Sequence, residues 1–112
     1  MAAYLARIHR LNPALNALVS LAPDEQLLAQ ADACDAELAQ GRRRGWLHGI
    51  PQAIKDAAMA QGFPTTLGSP LLARAVAQRD GLMTARMKAA GALVIGKTNM
   101  PELGLGSHTF NG

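Results

Sequence analysis

The spacing of apolar residues divides the chain into a helical first part and a second part where helices alternate with short apolar runs. Tyr4, Leu5, Ile8 and Leu11 recur at helical intervals and predict a helix from Ala2 to Leu11, stopped by Asn12-Pro13. Asn16 to Leu21 is a short apolar run compatible with strand or helix. Ala22-Pro23-Asp24-Glu25 opens a long helix, with proline in the first turn and acids at the positive dipole end. That helix runs to about Gln40, carries Leu27, Leu28, Ala31, Cys34 and Leu38 on one side, and stops at Gly41. Arg42-Arg43-Arg44-Gly45 reads as an exposed connection. Ser69-Pro70 resembles an N-cap with a first-turn proline and predicts a helix through Leu71, Leu72 and Val76. Asp80 is placed to cap a further helix carrying Leu82, Met83, Arg86, Met87 and Ala90, and Ala92 to Ile95 reads as a strand buried on both faces. Helices alternating with apolar strands argue for an α/β layer architecture. The chain reads as one domain over 1–112, helical over 1–45 and α/β over 46–112, with no repeat or linker.

One run brings chemistry into this frame. Leu47-His48-Gly49-Ile50-Pro51-Gln52-Ala53-Ile54-Lys55-Asp56 reads as a tight turn followed by a short buried strand ending on a lysine beside an aspartate. Burial disfavours the charged form of an amine, and a neutral lysine accepts a proton, as Ser-Lys hydrolases require. The plainer reading is a lysine at a strand end reaching into solvent. Asp56 either orients and charge-balances Lys55 or only caps the turn. Asn99 and Met100 follow the last apolar strand, where α/β sheets place ligand-contacting loops. Turn-capping by Asn99 and packing by Met100 account for them equally well.

Other signals carry less. Gly91-Ala92-Leu93-Val94-Ile95-Gly96-Lys97-Thr98 matches the phosphate-loop spacing literally. Its four spacers are themselves the strand, though, a helix precedes it, and Pro101 follows three residues later, so its amides belong to a sheet ladder. Ser107-His108 is adjacency in sequence, not triad geometry, and the residues two either side of the serine are Leu105 and Thr109 instead of glycines. His9 and His48 stand apart with no second ligand at metal spacing. Met83 and Met87 sit four apart, as helical core residues do.

Composition sets bounds. The apolar fraction is 49% and aromatics are 4%, so a core must come from aliphatic side chains. A net charge of +3 does not point to nucleic acid. Cys34 is the only cysteine, which excludes an intramolecular disulfide and a cysteine-rich zinc site. No apolar run is long enough to span a bilayer, and the N-terminus lacks a signal-peptide layout, so a reduced cytoplasmic setting is the default. Neither cofactor nor metal is expected.

The Gly49-Ile50-Pro51…Lys55-Asp56 run is followed in order by Thr65-Thr66-Leu67-Gly68-Ser69-Pro70, by Arg79-Asp80, and by Gly91-Ala92-Leu93-Val94-Ile95-Gly96-Lys97-Thr98-Asn99-Met100-Pro101-Glu102. This ordered set resembles the amidase signature family, most strongly over Leu47 to Gly112 and more weakly over the helical Tyr4 to Gly41. The resemblance implies helices on a mixed β-sheet. It also implies a Ser–Ser–Lys triad, in which lysine draws a proton through a bridging serine from the serine that attacks an amide carbonyl.

Of that triad only Lys55 carries over onto these residues. The family's serines lie in a glycine- and serine-rich stretch expected shortly after Thr109-Phe110-Asn111-Gly112. The chain is therefore expected to be an incomplete, N-terminal part of an amidase domain, without turnover of its own. A small-molecule amide is the implied substrate of the whole enzyme, and strand edges left without partners favour self-association. The glutaminase-type subunit of a tRNA-dependent amidotransferase is the nearest enzymatic alternative. That branch usually has aspartate where this chain has Pro101 and lacks the His108-Thr109-Phe110-Asn111 pattern. A non-catalytic remnant or interaction fragment is the alternative outside enzymes.

Overall fold

The computed structural model describes residues 1–109. Phe110, Asn111 and Gly112, which belong to the His108–Asn111 pattern and the chain's last stretch, lie outside the described residues. The elements run in the order α1 (Ala2–Leu15), β1 (Leu18–Leu21), α2 (Asp24–Ala39), β2 (Pro51–Lys55), a 3-10 turn (Pro70–Leu72), α3 (Leu82–Ala89), β3 (Leu93–Thr98) and a second 3-10 turn (Glu102–Gly104). Three strands form one sheet in the order β1-β3-β2, with β1 antiparallel and β2 parallel to β3. The sheet is mixed and the architecture is α/β. One strand comes from the segment expected to be wholly helical, since β1 lies within residues 1–45 and pairs with the far end of the described chain.

β3 occupies the centre, and its alternation organises the core. Ile95 packs with Leu5, Ala22 and Leu27. Val94, one residue earlier and so on the opposite face, packs with Ile54 and Ala60. Phe63 leans against both clusters. A strand covered on both faces reads as an unbroken apolar run, which explains why Ala92–Ile95 is recognisable from sequence. The strand runs further than that pattern, however, through Gly96, Lys97 and Thr98.

Gly96 permits a close approach of β1. A Cβ there would stand 2.5 Å from the Ser20 carbonyl oxygen and 3.1 Å from the Leu21 Cα. Both are backbone atoms that cannot swing aside. Gly96→Ala is expected to push β1 off the sheet and cost about 1–3 kcal/mol, read as a lower urea midpoint. An unchanged midpoint would mean that β1 does not lie this close.

Three local expectations fail, each for a visible reason. α1 does not stop at Asn12-Pro13 but continues to Leu15 and ends at Asn16 in the left-handed conformation (φ 46°). Pro13 sits in the last turn, where the one backbone bond it removes matters least. Asn12 meanwhile anchors β1, its Nδ2 donating to the Leu18 carbonyl (2.9 Å) and its Oδ1 accepting from the Leu18 amide (2.8 Å). The predicted helix after Ser69-Pro70 is a single 3-10 turn, because the Ser69 hydroxyl donates to Glu102 (2.7 Å) instead of capping.

Asp80 does not cap α3 either, since Gly81 holds that position. Its carboxylate instead accepts from the Gln61 amide (2.7 Å) and from Lys88 Nζ through both oxygens (2.8 and 2.9 Å). Within α3, Met87 packs on the core while Met83 is half exposed, so only one of that pair is core.

The Asp80 clasp has a pH signature. Partial burial pushes its carboxyl up, but the hydrogen bonds from Lys88 and the Gln61 amide outweigh that and hold it below the usual carboxylate value. The stabilisation is therefore complete above the ordinary carboxylate range and is lost as pH falls through the lowered value. Asp80→Asn is expected to cost about 1–2 kcal/mol at neutral pH, allowing for the partial exposure of Lys88. It should also flatten the acid limb of a stability–pH curve, and a variant with the wild-type acid limb would contradict this.

Candidate active site

Parallel pairing brings the C-terminal ends of β2 and β3 side by side, with Lys55 opposite Thr98. The chain leaving each strand crosses this edge of the sheet. Asp56 follows Lys55, and its amide donates to the Thr98 carbonyl (3.2 Å). Asn99 and Met100 follow Thr98. Together with Thr66, Ser69 and Glu102 from the neighbouring turns, Asp56, Asn99 and Met100 line a cleft of about 410 Å³. Lys55 is not among the lining residues, although the next residue in the chain is.

The two lysines near this edge differ sharply. β2 is an edge strand with Ala53 and Lys55 exposed and Ile54 buried. The expected burial of Lys55 at a strand end is thus not met within these residues, because only β3 flanks its strand. Lys97 lies one register step back on the central strand, paired with Ile54 on one side and Ser20 on the other, and is 0% exposed.

Its Nζ donates to the carbonyl oxygens of Asp56 and Pro64 (3.0 Å each) and to Thr65 Oγ1 (3.3 Å), so each of its three protons finds an acceptor. The Asp56 carboxylate stands 3.8 Å away. Burial pushes the Lys97 ammonium below its ordinary value, and the neighbouring Asp56 charge opposes that shift.

Asp56 is as enclosed as its partner. Its Oδ2 accepts from the Thr66 hydroxyl (3.1 Å), while its buried Oδ1 makes no hydrogen bond and faces Lys97 across 3.8 Å. It balances a lysine, but that lysine is Lys97. Asn99 holds the β3 exit in place: its amide donates to the Ala17 carbonyl (2.9 Å), its Nδ2 to the Asn16 carbonyl (3.1 Å), and its Oδ1 accepts from the Met100 amide (2.9 Å). Met100 is buried. Both residues therefore combine the turn-building and packing roles with positions in the cleft wall.

The remaining polar signals are structural. His48 donates from Nε2 to the Cys34 carbonyl (2.9 Å) and accepts the Arg44 amide at Nδ1 (3.1 Å). The Arg44 guanidinium grips Glu37 with two hydrogen bonds of 2.7 Å and holds that carboxyl below the usual range. His9 bonds Asp24 at 2.7 Å on the surface. Ser107 Oγ and His108 Nδ1 lie 2.9 Å apart in an exposed turn. The Leu93–Thr98 amides lie in β3, not around an anion-binding loop. Among the described residues no three His, Cys, Asp or Glu side chains cluster as metal ligands would. No helix among them is long and apolar enough to cross a membrane.

Comparison with known proteins decides what this edge of the sheet belongs to. The family model of amidases matches residues 1–112. The chain belongs to the amidase family. It is 43% identical over 107 residues to the large hydrolytic-family component named as the A chain of the glutamyl-tRNA(Gln) amidotransferase of Cyanothece sp., a match covering 96% of this chain and 22% of that protein. The corresponding component in Methylococcus capsulatus is 47% identical over 105 residues, covering 94% and 21%.

Among solved structures, the peptide amidase of Stenotrophomonas maltophilia superposes with a TM-score of 0.80 at 41% identity, covering 90% of this chain and 21% of that one. A bacterial aryl acylamidase of the amidase signature family gives a TM-score of 0.80 at 31% identity, covering 91% and 21%. The chain thus spans about a fifth of the length of the relatives it matches. The mixed α/β sheet is the amidase fold over that fifth.

Lys97 is the residue that pattern reading misses, hidden inside a literal phosphate-loop match. The usable signal is a charged residue continuing a run buried on both faces, where an ammonium is tolerated only with a full set of acceptors.

Proposed function

We propose that these residues supply the general base of an amide hydrolase, with Lys55 as the base of a Ser–Ser–Lys triad. The supporting observation is that the amidase match spans all 112 residues while Lys55 sits at the exit of a parallel strand, beside a cleft. The neutral Lys55 amine takes a proton from the bridging serine, which takes one from the nucleophilic serine as it attacks the carbonyl. The proton returns to the departing ammonia or amine, and water then cleaves the acyl-enzyme. An amine must be neutral to accept a proton. Shielding it from solvent falls, on this reading, to the remaining four-fifths of an amidase, since Lys55 is exposed here.

The 112 residues alone are expected to turn over no amide. The substrate is a small-molecule amide, the setting cytoplasmic, and the edge strands β1 and β2 are where copies of the chain would associate. The test replaces the matching fifth of the Stenotrophomonas maltophilia peptide amidase with these residues and follows ammonia release with and without Lys55.

A second reading rests on the curated relatives, the first of which are components of glutamyl-tRNA(Gln) amidotransferases. On that reading the amide is glutamine. A hybrid that hydrolyses glutamine in preference to peptide amides would favour it, and the reverse preference favours the general amidase.

A further inference from the structure

We propose that Lys97 is a positioning residue for Lys55: from beneath the sheet edge it fixes the strand exit that aims the Lys55 amine, an inference resting on the reading of Lys55 as base. The lysine-bearing strand is an edge strand, supported on one side by β3. Past its last paired residue, the Asp56 peptide is held at both ends by β3. Its amide donates to the Thr98 carbonyl (3.2 Å) and its carbonyl accepts from Lys97 Nζ (3.0 Å).

The same ammonium gathers the Pro64 carbonyl and the Thr65 hydroxyl. That draws the 63–66 segment against Asp56, where Thr66 bonds the Asp56 carboxylate. One side chain thus ties the central strand, the turn after Lys55 and the neighbouring loop at a single point.

An apolar residue would fill the same space at less cost in desolvation. What it could not do is satisfy three converging acceptors. Arginine cannot reproduce the arrangement either, because its guanidinium is a planar fork and needs acceptors in its own plane. The base's direction is therefore sensitive to the shape of the group at position 97 and not only to its charge.

The experiment has two readouts. In the 112-residue chain, hydrogen exchange is measured at the amides of Asp56 and Ala58, the latter bonded to the Lys55 carbonyl at 2.9 Å. In the peptide-amidase hybrid, kcat and KM for a peptide amide are measured per folded molecule across pH. Lys97→Arg is expected to speed exchange at both amides and to lower kcat by about 100-fold, as misplacement of a reacting group by about 1 Å does, with KM nearly unchanged. Should Lys97→Arg fail to fold, Thr65→Val removes one acceptor only. It is expected to lower kcat several-fold, and Thr65→Ser to restore it.

Wild-type exchange at Asp56 and Ala58 together with wild-type kcat per folded molecule in these variants would overturn the proposal. So would a rate that falls only with the folded fraction. Lys55→Ala in the same hybrid separates the two ideas: a rate indifferent to Lys55 sinks the base assignment, even where exchange responds to position 97.

Discussion

Lys97→Met is expected to lower the stability of the fold by about 3–5 kcal/mol, the usual consequence of removing one partner of a buried ion pair. Methionine matches the volume, so packing is not the cause. Three acceptors lose their donor, and the Asp56 carboxylate, 1% exposed with one oxygen already unpaired, is left buried without a counter-charge. Domains of this size are stable by about 5–15 kcal/mol in total, so the variant should unfold at a much lower urea concentration. Removing both charges, as Lys97→Met with Asp56→Asn, should recover part of the loss, because the unpaired carboxylate is its largest component. A single variant as stable as wild type would mean that the pair is not formed.

The same lysine gives stability a pH slope. Burial holds its folded-state value below the ordinary one, so the folded chain gives up this proton before the unfolded chain does. Between the lowered value and about 10.4 the unfolded chain binds more protons, and this group's contribution to stability rises with pH through that window. Below the window both states are protonated and the folded state bears the whole cost of burying the charge. Urea midpoints from neutral pH upward should show this rise in wild type and a smaller one in Lys97→Met.

How far the sequence carries this picture depends on the range of each interaction. α2 is legible because its signals are local, from Asp24 and Glu25 at its start to Gly41 beyond its end. The apolar run of β3 and the amidase motifs are legible for the same reason. Which lysine is buried is not a local matter. Short apolar runs before Lys55 and before Lys97 look alike, and only the strand order β1-β3-β2 makes one an edge and the other the centre. The groups that receive the Lys97 ammonium lie 32 to 41 positions earlier in the chain. Ser69 and Asp80 show the same limit. Each has the side chain of a helix cap, and each spends it on a distant partner, Glu102 and the Gln61–Lys88 pair.

The second large effect concerns the reaction itself. In the hybrid with the peptide amidase, Lys55→Ala is expected to lower the rate of amide hydrolysis by about 10⁴–10⁶-fold, as loss of one member of a catalytic triad does. Without a base, both serines keep their protons, and the nucleophile is the weak neutral hydroxyl. Folding should be little disturbed, because the side chain is exposed and the backbone of residue 55 carries the β2–β3 pairing. Retained structure beside lost turnover would set this variant apart from Lys97→Met, whose first effect is on stability.

Lys55→Arg separates a proton acceptor from a mere positive charge, since a guanidinium keeps its charge and stays protonated throughout the accessible pH range. Ammonia release from a peptide amide by the Lys55→Arg hybrid is expected to be as slow as that of Lys55→Ala. A rate near that of the unsubstituted hybrid would contradict the assignment of Lys55 as the base.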